Sequence, residues 1–271
     1  MKRASLVAGA VLVGATVVMA LVSFVWTPQD PTRVDPTAVL LRPGGSHLLG
    51  TDGFGIDVAS RIMVGAQTTL LVGLVAVGIA AAFGVPLGIG AAVVGGWGSE
   101  LLMRATDVLY AFPALLLAIL LAAAFGASTW TAMTAIGVAT VPAFARVARA
   151  GTLPVLASDY VLAARASGTS RWGIAGRHIL PNVAPVVGVQ ASVAFGIAIL
   201  AEAALSYLGL ATPPPTPTWG RMLRDAQTYL FTNPLLAVWP GLAIALAVLG
   251  FNLLGDGLRD ALDPKLRRQA R

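Results

Sequence analysis

Apolar residues run through this chain in long unbroken blocks rather than in alternation. Between Arg61 and Glu100, and again between Asp107 and Arg146, there is no Asp, Glu, Lys or Arg. Each gap exceeds the roughly 20 apolar residues that a helix needs to cross a bilayer. Backbone amides in hydrocarbon must bond within their own segment or close a barrel, and continuous runs lack the period of two that a barrel strand requires. The expected fold is therefore all-α, a polytopic membrane protein with six transmembrane helices.

The polar interruptions place the spans. Lys2 and Arg3 precede an uncharged run from Ala4 to Thr27, too long for the apolar centre of a cleaved signal peptide, so an uncleaved first span is expected. Residues 28–60 carry turn-forming Pro, Gly and Asp pairs and read as an external loop. A second span is expected from Thr68 to Val94, ending at Gly95-Gly96, with its internal glycines serving close helix packing. Phe125-Gly126-Ala127-Ser128 divides the next apolar stretch into spans three and four, a tight helical hairpin. Span five follows Pro181 and reaches Leu210, and span six runs from Pro234 to Leu254. The proline-rich stretch between them, Ala211 to Gly220, is expected to be a non-helical external loop.

Charge then orients the spans. Hydrophobic residues make up 57% of the 271 positions and charged ones 11%, against about 25% charged in soluble domains; the mean hydropathy is +0.81. With the N-terminus inside, thirteen of the 18 basic residues fall on the cytoplasmic side, and only Arg33, Arg42, Arg61, Arg221 and Arg224 fall outside. That asymmetry satisfies the positive-inside rule and places both termini in the cytoplasm. It also accounts for the net charge of +6 without nucleic acid, because the basic residues sit at the ends of apolar runs and not interleaved with aromatics. Three segments are expected: 1–65, the first span and external loop; 66–258, the main transmembrane body with the loop 158–181; and 259–271, a cytoplasmic tail.

Little chemistry remains available to the chain itself. It has no cysteine, and two distant histidines, His47 and His178, give no metal-ligand spacing, so neither cofactor nor metal is expected. No Gly-x-x-x-x-Gly-Lys-Ser/Thr loop is present, and the only lysines, Lys2 and Lys265, lie at the termini. The chain therefore carries no recognisable ATPase site of its own.

The longest internal loop is expected at 147–181, and its 158–181 part has distinct punctuation. Ser158 or Asp159 can cap a short Ala-rich helix, Gly168 can end it in a left-handed residue, and Thr169 or Ser170 can cap a second helix that Pro181 is expected to end. The expected result is a helix-turn-helix at the membrane surface. An amphipathic pair bound to headgroups through Arg165, Arg171 and Arg177 is the alternative on physics alone.

Ala163-Ala164, then Gly168, then Leu180-Pro181 resembles the loop of ABC importer permeases in which Glu-Ala-Ala, a glycine and a terminal Leu-Pro recur. Four further blocks resemble the dipeptide/oligopeptide/nickel permease family: Gly50 to Asp57; Met103-Arg104 with Asp107 and Ala111-Phe112-Pro113; Ala204 to Gly209 with Pro214 to Gly220; and Asn252 to Pro264. The last two are similar to its C-type subunit. Leu162 stands in the place of the family's Glu, and Ile56 in that of a usual Arg. The resemblance implies a type I ABC importer permease in the cytoplasmic membrane, moving peptides or similar small solutes. It implies pairing with a homologous permease subunit, cytoplasmic ATP-binding subunits and an extracytoplasmic solute-binding protein. Leu162, Ala163, Ala164, Arg165, Gly168 and Pro181 would then dock the ATPase.

Single residues add three expectations. Glu202, ionisable within span five, is a candidate for the substrate pathway, or else reaches interfacial water. Arg104 and Asp107, three apart, are expected to pair structurally on one helix face. His178 is expected to be a docking or surface residue. A self-sufficient ion-coupled transporter is the rival class, but it calls for several midplane carboxylates and an inverted repeat, and Glu202 stands alone.

Overall fold

The computed structural model describes residues 2–262, and the basic tail residues Lys265, Arg267, Arg268 and Arg271 lie outside that range. Ten α-helices follow in order: α1 (Lys2–Val22), α2 (Val58–Val94), α3 (Gly96–Ala111), α4 (Ala114–Phe125), α5 (Thr129–Leu156), α6 (Asp159–Ala166), α7 (Arg171–Ile174), α8 (Leu180–Leu208), α9 (Trp219–Ala226) and α10 (Leu235–Leu262). One π-helical turn, Ala175–Ile179, joins α7 to α8. Among the described residues there is no strand, only two isolated bridges in the loop before α2.

Five helical stretches are long and apolar enough to cross a membrane, and α3 with α4 forms a sixth that is bent by 79°. The bend breaks the third of the expected spans, while the turn between spans three and four falls at 126–128 as expected. The cause of the bend is Pro113, which disfavours helical geometry in the residue before it, and Phe112 accordingly takes an extended ψ of 124°. The second span begins ten residues earlier than expected, because Asp57 caps α2 by accepting from Ser60 N at 2.8 Å. Both α2 and α10 run unbroken across positions 65/66 and 258/259, so the expected segment boundaries are not breaks in the helices.

Side-chain contacts set the directions of the helices. A Cβ on Gly84 would lie 2.6 Å from both Phe144 Cβ and Val141 O, and Gly88 meets Ala145 and Ala148 as closely, so α2 and α5 run parallel with their backbones almost touching. Only glycine permits that approach, and in lipid such packing replaces the hydrophobic drive that is missing between helices. Gly73 against Phe195 runs α2 antiparallel to α8, and α10 packs antiparallel on α1 and α8. One end of the bundle therefore carries the 23–57 loop, α9 and the α8–α10 connection. The opposite end carries α6, α7 and the π turn.

Candidate functional site

Short-range bonding shapes the α6–α7 end. α6 follows Ser158, whose carbonyl receives Val161 N at 3.0 Å and Leu162 N at 3.1 Å. Its hydroxyl turns back to Val155 O at 2.6 Å and makes no side-chain cap. At the far end Thr169 N donates to Ala164 O and Gly168 N to Arg165 O, both at 3.0 Å, with Gly168 at φ +84°. Two such bonds closing on a left-handed glycine form a Schellman ending, so this glycine acts as expected. Ser170 then caps α7 by accepting from Gly173 N at 3.1 Å.

Pro181 does not end the second helix, which corrects the expected helix-turn-helix. From Arg171 to Leu208 the helix is continuous over 38 residues. The π turn makes this possible: Leu180 N donates to Ala175 O, five residues back, and the wide turn relieves the clash of a proline ring with the carbonyl of the preceding turn. Pro181 follows the π turn directly, as the second residue of α8. Residues 171–181 are thus the root of the fourth of the five long helices.

The insertion is seated by apolar contact. Val161, Ile174 and Ile179 are fully buried and pack with Phe144, Ala148, Val183 and Ile89 in one cluster. Tyr160 and His178 bring their rings to 6.0 Å, joining α6 to the π turn. On the outer surface Leu162, Ala163, Arg165, Gly168 and Pro181 are exposed, and Ala164 is half-buried. Leu162 leaves half its surface uncovered. Arg165, Arg171 and Arg177 are exposed, and none pairs with an acid among the described residues. Arg104 and Asp107 do not pair with each other. Arg104 bonds Glu100 at 2.6 Å, one turn back, and Asp107 bonds Arg146 of α5 at 2.9 Å. That guanidinium also lies 4.0 Å over the Tyr110 ring. The cross-helix bond wins because it ties α3 to α5, which an intrahelical pair cannot do.

Glu202 is fully buried, so the interfacial-water alternative does not hold in this conformation. Ser206 donates its hydroxyl to Oε1 at 2.6 Å, while Oε2 has no partner. Ala198 and Leu205, on the same side of α8, pack with Val72 and Ala76 of α2 and Met133 and Ile136 of α5, which places Glu202 where three helices meet.

A polar cluster at the opposite end went unrecognised in the sequence. Arg61, in the first turn of α2, is buried and bonds Asp52 of the preceding loop and, at 3.3 Å, Asp225 of α9. Asp52 Oδ1 also accepts from Phe54 N and Ile56 N at 2.8 and 2.9 Å. Trp219, read only as part of a loop, is the fully buried first residue of α9, and its Nε1 donates to Ile62 O at 3.0 Å. In the loop itself Asp30 and Asp35 each accept from a threonine two positions on, both hydroxyl and backbone N–H. Those bonds hold both carboxyls below the usual carboxylate range.

Comparison with known proteins agrees with this architecture. Residues 84–268 match the family described as binding-protein-dependent transport system inner membrane component. The chain is 40% identical to a dipeptide transport system permease protein of Alkalihalophilus pseudofirmus over 98% of its own length and 88% of the relative's. It is 42% identical to a probable D,D-dipeptide transport system permease protein of Escherichia coli K12, covering 92% and 85% of the two chains. It is 43% identical to a glutathione transport system permease protein of Pectobacterium atrosepticum, covering 83% and 75%. With the long apolar helices and the seated insertion, these matches show that the chain belongs to the family of binding-protein-dependent transport system inner membrane components.

Proposed function

We propose that this permease subunit imports peptides or similar small solutes, driven by ATP that partner subunits hydrolyse on the cytoplasmic side. The peptide class follows the relatives, named for dipeptide, D,D-dipeptide and glutathione transport. The asymmetry of basic residues supports an orientation with both termini and the α6–α7 end in the cytoplasm, and the 23–57 loop with α9 outside. A homologous permease completes the pathway, and an extracytoplasmic binding protein delivers the solute.

The observation that carries this reading is the covalent and packed continuity of the insertion with the transmembrane body. A docked ATPase would touch Leu162, Ala163, Ala164, Arg165 and the turn at Gly168. Displacement of α6 then bears on α7 through the Gly168 turn, and α7 is the root of the helix that carries Glu202. Rocking between inward-open and outward-open states requires such an element, whose equilibrium is biased by ATP at one end and the binding protein at the other. Glu202 lies along the pathway in this scheme, enclosed in the present conformation and uncovered when α8 moves.

Gly168→Val tests the lever. A β-branched residue in the left-handed region strains the turn by roughly 1–2 kcal/mol. Reconstituted complexes should assemble but lose transport and solute-stimulated ATP hydrolysis together. Wild-type coupled ATPase activity in this variant would refute the docking assignment. Glu202→Gln should lower uptake with assembly intact, and unchanged uptake kinetics would remove Glu202 from the pathway.

A further inference from the structure

At the end of the bundle opposite the insertion lies an open groove of about 570 Å³, lined by the loop around Pro31 to Val34, by Phe54 and Ile56, by Pro214-Pro215 and by α9. Its charge is unbalanced. Arg61 is compensated by Asp52 and Asp225, which leaves Arg221 and Arg224 as the unbalanced cations of the lining. Neither Arg221 nor Arg224 has an ion-pair partner among the described residues. Three positions apart on α9, they present two guanidinium groups from one face of one helix.

The groove is also fixed in shape. Arg61 ties the loop to α2 and α9, and buried Trp219 bonds Ile62 O, so the helix bearing both arginines is held against the bundle. Phe54, 60% exposed, supplies an apolar rim. A cavity of about 150 Å³, the size of one side chain, adjoins it and shares Phe54, Arg61 and Asp225. Apart from Arg61, no lining residue belongs to a long membrane-crossing helix. A solute lodged here would sit on loops, away from the helices between which it must pass, whereas the edge of a protein would rest on them naturally.

We infer that this groove is a docking site for acidic side chains on the surface of the extracytoplasmic solute-binding protein, with Arg221 and Arg224 as the receiving cations. The inference rests on the importer reading above and assigns that partner a place on this chain. Guanidinium groups suit the task because they bond carboxylates in a bidentate manner and steer an oppositely charged partner before contact.

The test uses the complete complex in nanodiscs, titrated with the solute-binding protein that stimulates its ATP hydrolysis. Arg221→Glu with Arg224→Glu should raise the half-saturating concentration of binding protein at least tenfold, and the double Gln variant should fall between it and wild type. The double Lys variant should stay within about threefold, because charge is retained while bidentate geometry is lost. Added salt should weaken wild type but not the Glu variant, since exposed charges are screened beyond about 10 Å at 0.1 M salt. Reversing an acidic residue on the binding protein should restore the Glu variant. Assembly is checked by co-purification of all subunits, and the Gln and Lys variants carry the test if the Glu variant fails to assemble. An unchanged half-saturating concentration in the Glu and Gln variants would overturn the assignment. So would a shift that disappears when the solute carboxylate is amidated, since that would mark the solute itself as occupant. A wild-type complex that no binding protein stimulates would sink the importer reading and the groove with it, whereas normal stimulation with unaltered variants would sink the groove alone.

Discussion

The α6–α7 end is held by Val161, Ile174 and Ile179 pressed into the cluster of α2, α5 and α8, and among the described residues no ion pair joins α6 or α7 to the bundle. The opposite end is held by Arg61 between Asp52 and Asp225, by Asp57 between Ser60 and His47, and by Trp219 on Ile62 O. Apolar contact is non-directional and survives small rigid shifts. Charge-assisted hydrogen bonds, being shorter and more directional, select one geometry. The first kind of contact tolerates the small displacement that the proposed lever requires, and the second fixes the geometry that the proposed docking groove requires.

The largest expected effect breaks the platform. Arg61→Met leaves Asp52 buried without its cation, and removing one partner of a buried pair costs about 3–5 kcal/mol. The purified complex should unfold at clearly lower temperature, and the 28–57 loop should become sensitive to protease. Replacing Asp52 by Asn in the same chain should recover much of the loss, as the uncompensated charge is then gone. A lone Arg61→Met variant as stable as wild type would remove the contrast between the ends.

Next comes the apolar seat. Val161→Ala deletes two buried methyl groups, worth about 1.5–2 kcal/mol at roughly 0.8 kcal/mol per buried CH2 plus a cavity term. Because these contacts seat α6, coupled ATP hydrolysis should fall while the loop at the other end keeps its protease resistance. Equal loosening of both ends would show that they are not independent.

Smaller again is the Arg146–Asp107 pair, half exposed on both sides. Asp107→Asn should cost less than about 1 kcal/mol, less still at high salt, as measured by thermal unfolding. The smallest effect concerns the Asp30 and Asp35 turns. Their carboxyls titrate below the ordinary value of 3.8, so their contribution to folding is present above that value and is lost as pH falls through the lower folded values. Thr32→Val and Thr37→Val should move loss of loop order, read by limited proteolysis with an acid-tolerant protease, to a higher pH.

The two ends also differed in how far they could be read in advance. Gly168 was legible because a glycine after an Ala-rich run, followed by Thr169-Ser170, has one economical backbone solution, and the structure takes it. The role of Pro181 was misread because the rule that proline ends a helix is local, and the π turn that evades it depends on the packing of Ile174 and Ile179 beneath. Arg61, Asp52 and Asp225 gave no signal, since Asp225 lies 164 positions from Arg61 and nothing in either neighbourhood announces the other.

By itself the sequence determined that the chain crosses a membrane several times as helices, that a turn falls at Gly168 and that no phosphate-binding loop motif is present. Uncharged runs, glycine and proline geometry and missing phosphate-binding residues are properties of single segments. Only the tertiary structure decided that α2 and α5 lie parallel on glycine contacts, that the α3–α4 span is sharply bent, and that Glu202 is enclosed. It alone brought Arg61 between two carboxylates and left Arg221 and Arg224 unpaired. Those outcomes depend on which side chains meet across long separations, and a one-dimensional pattern contains the spacing of residues along a helix but not the identity of what faces it.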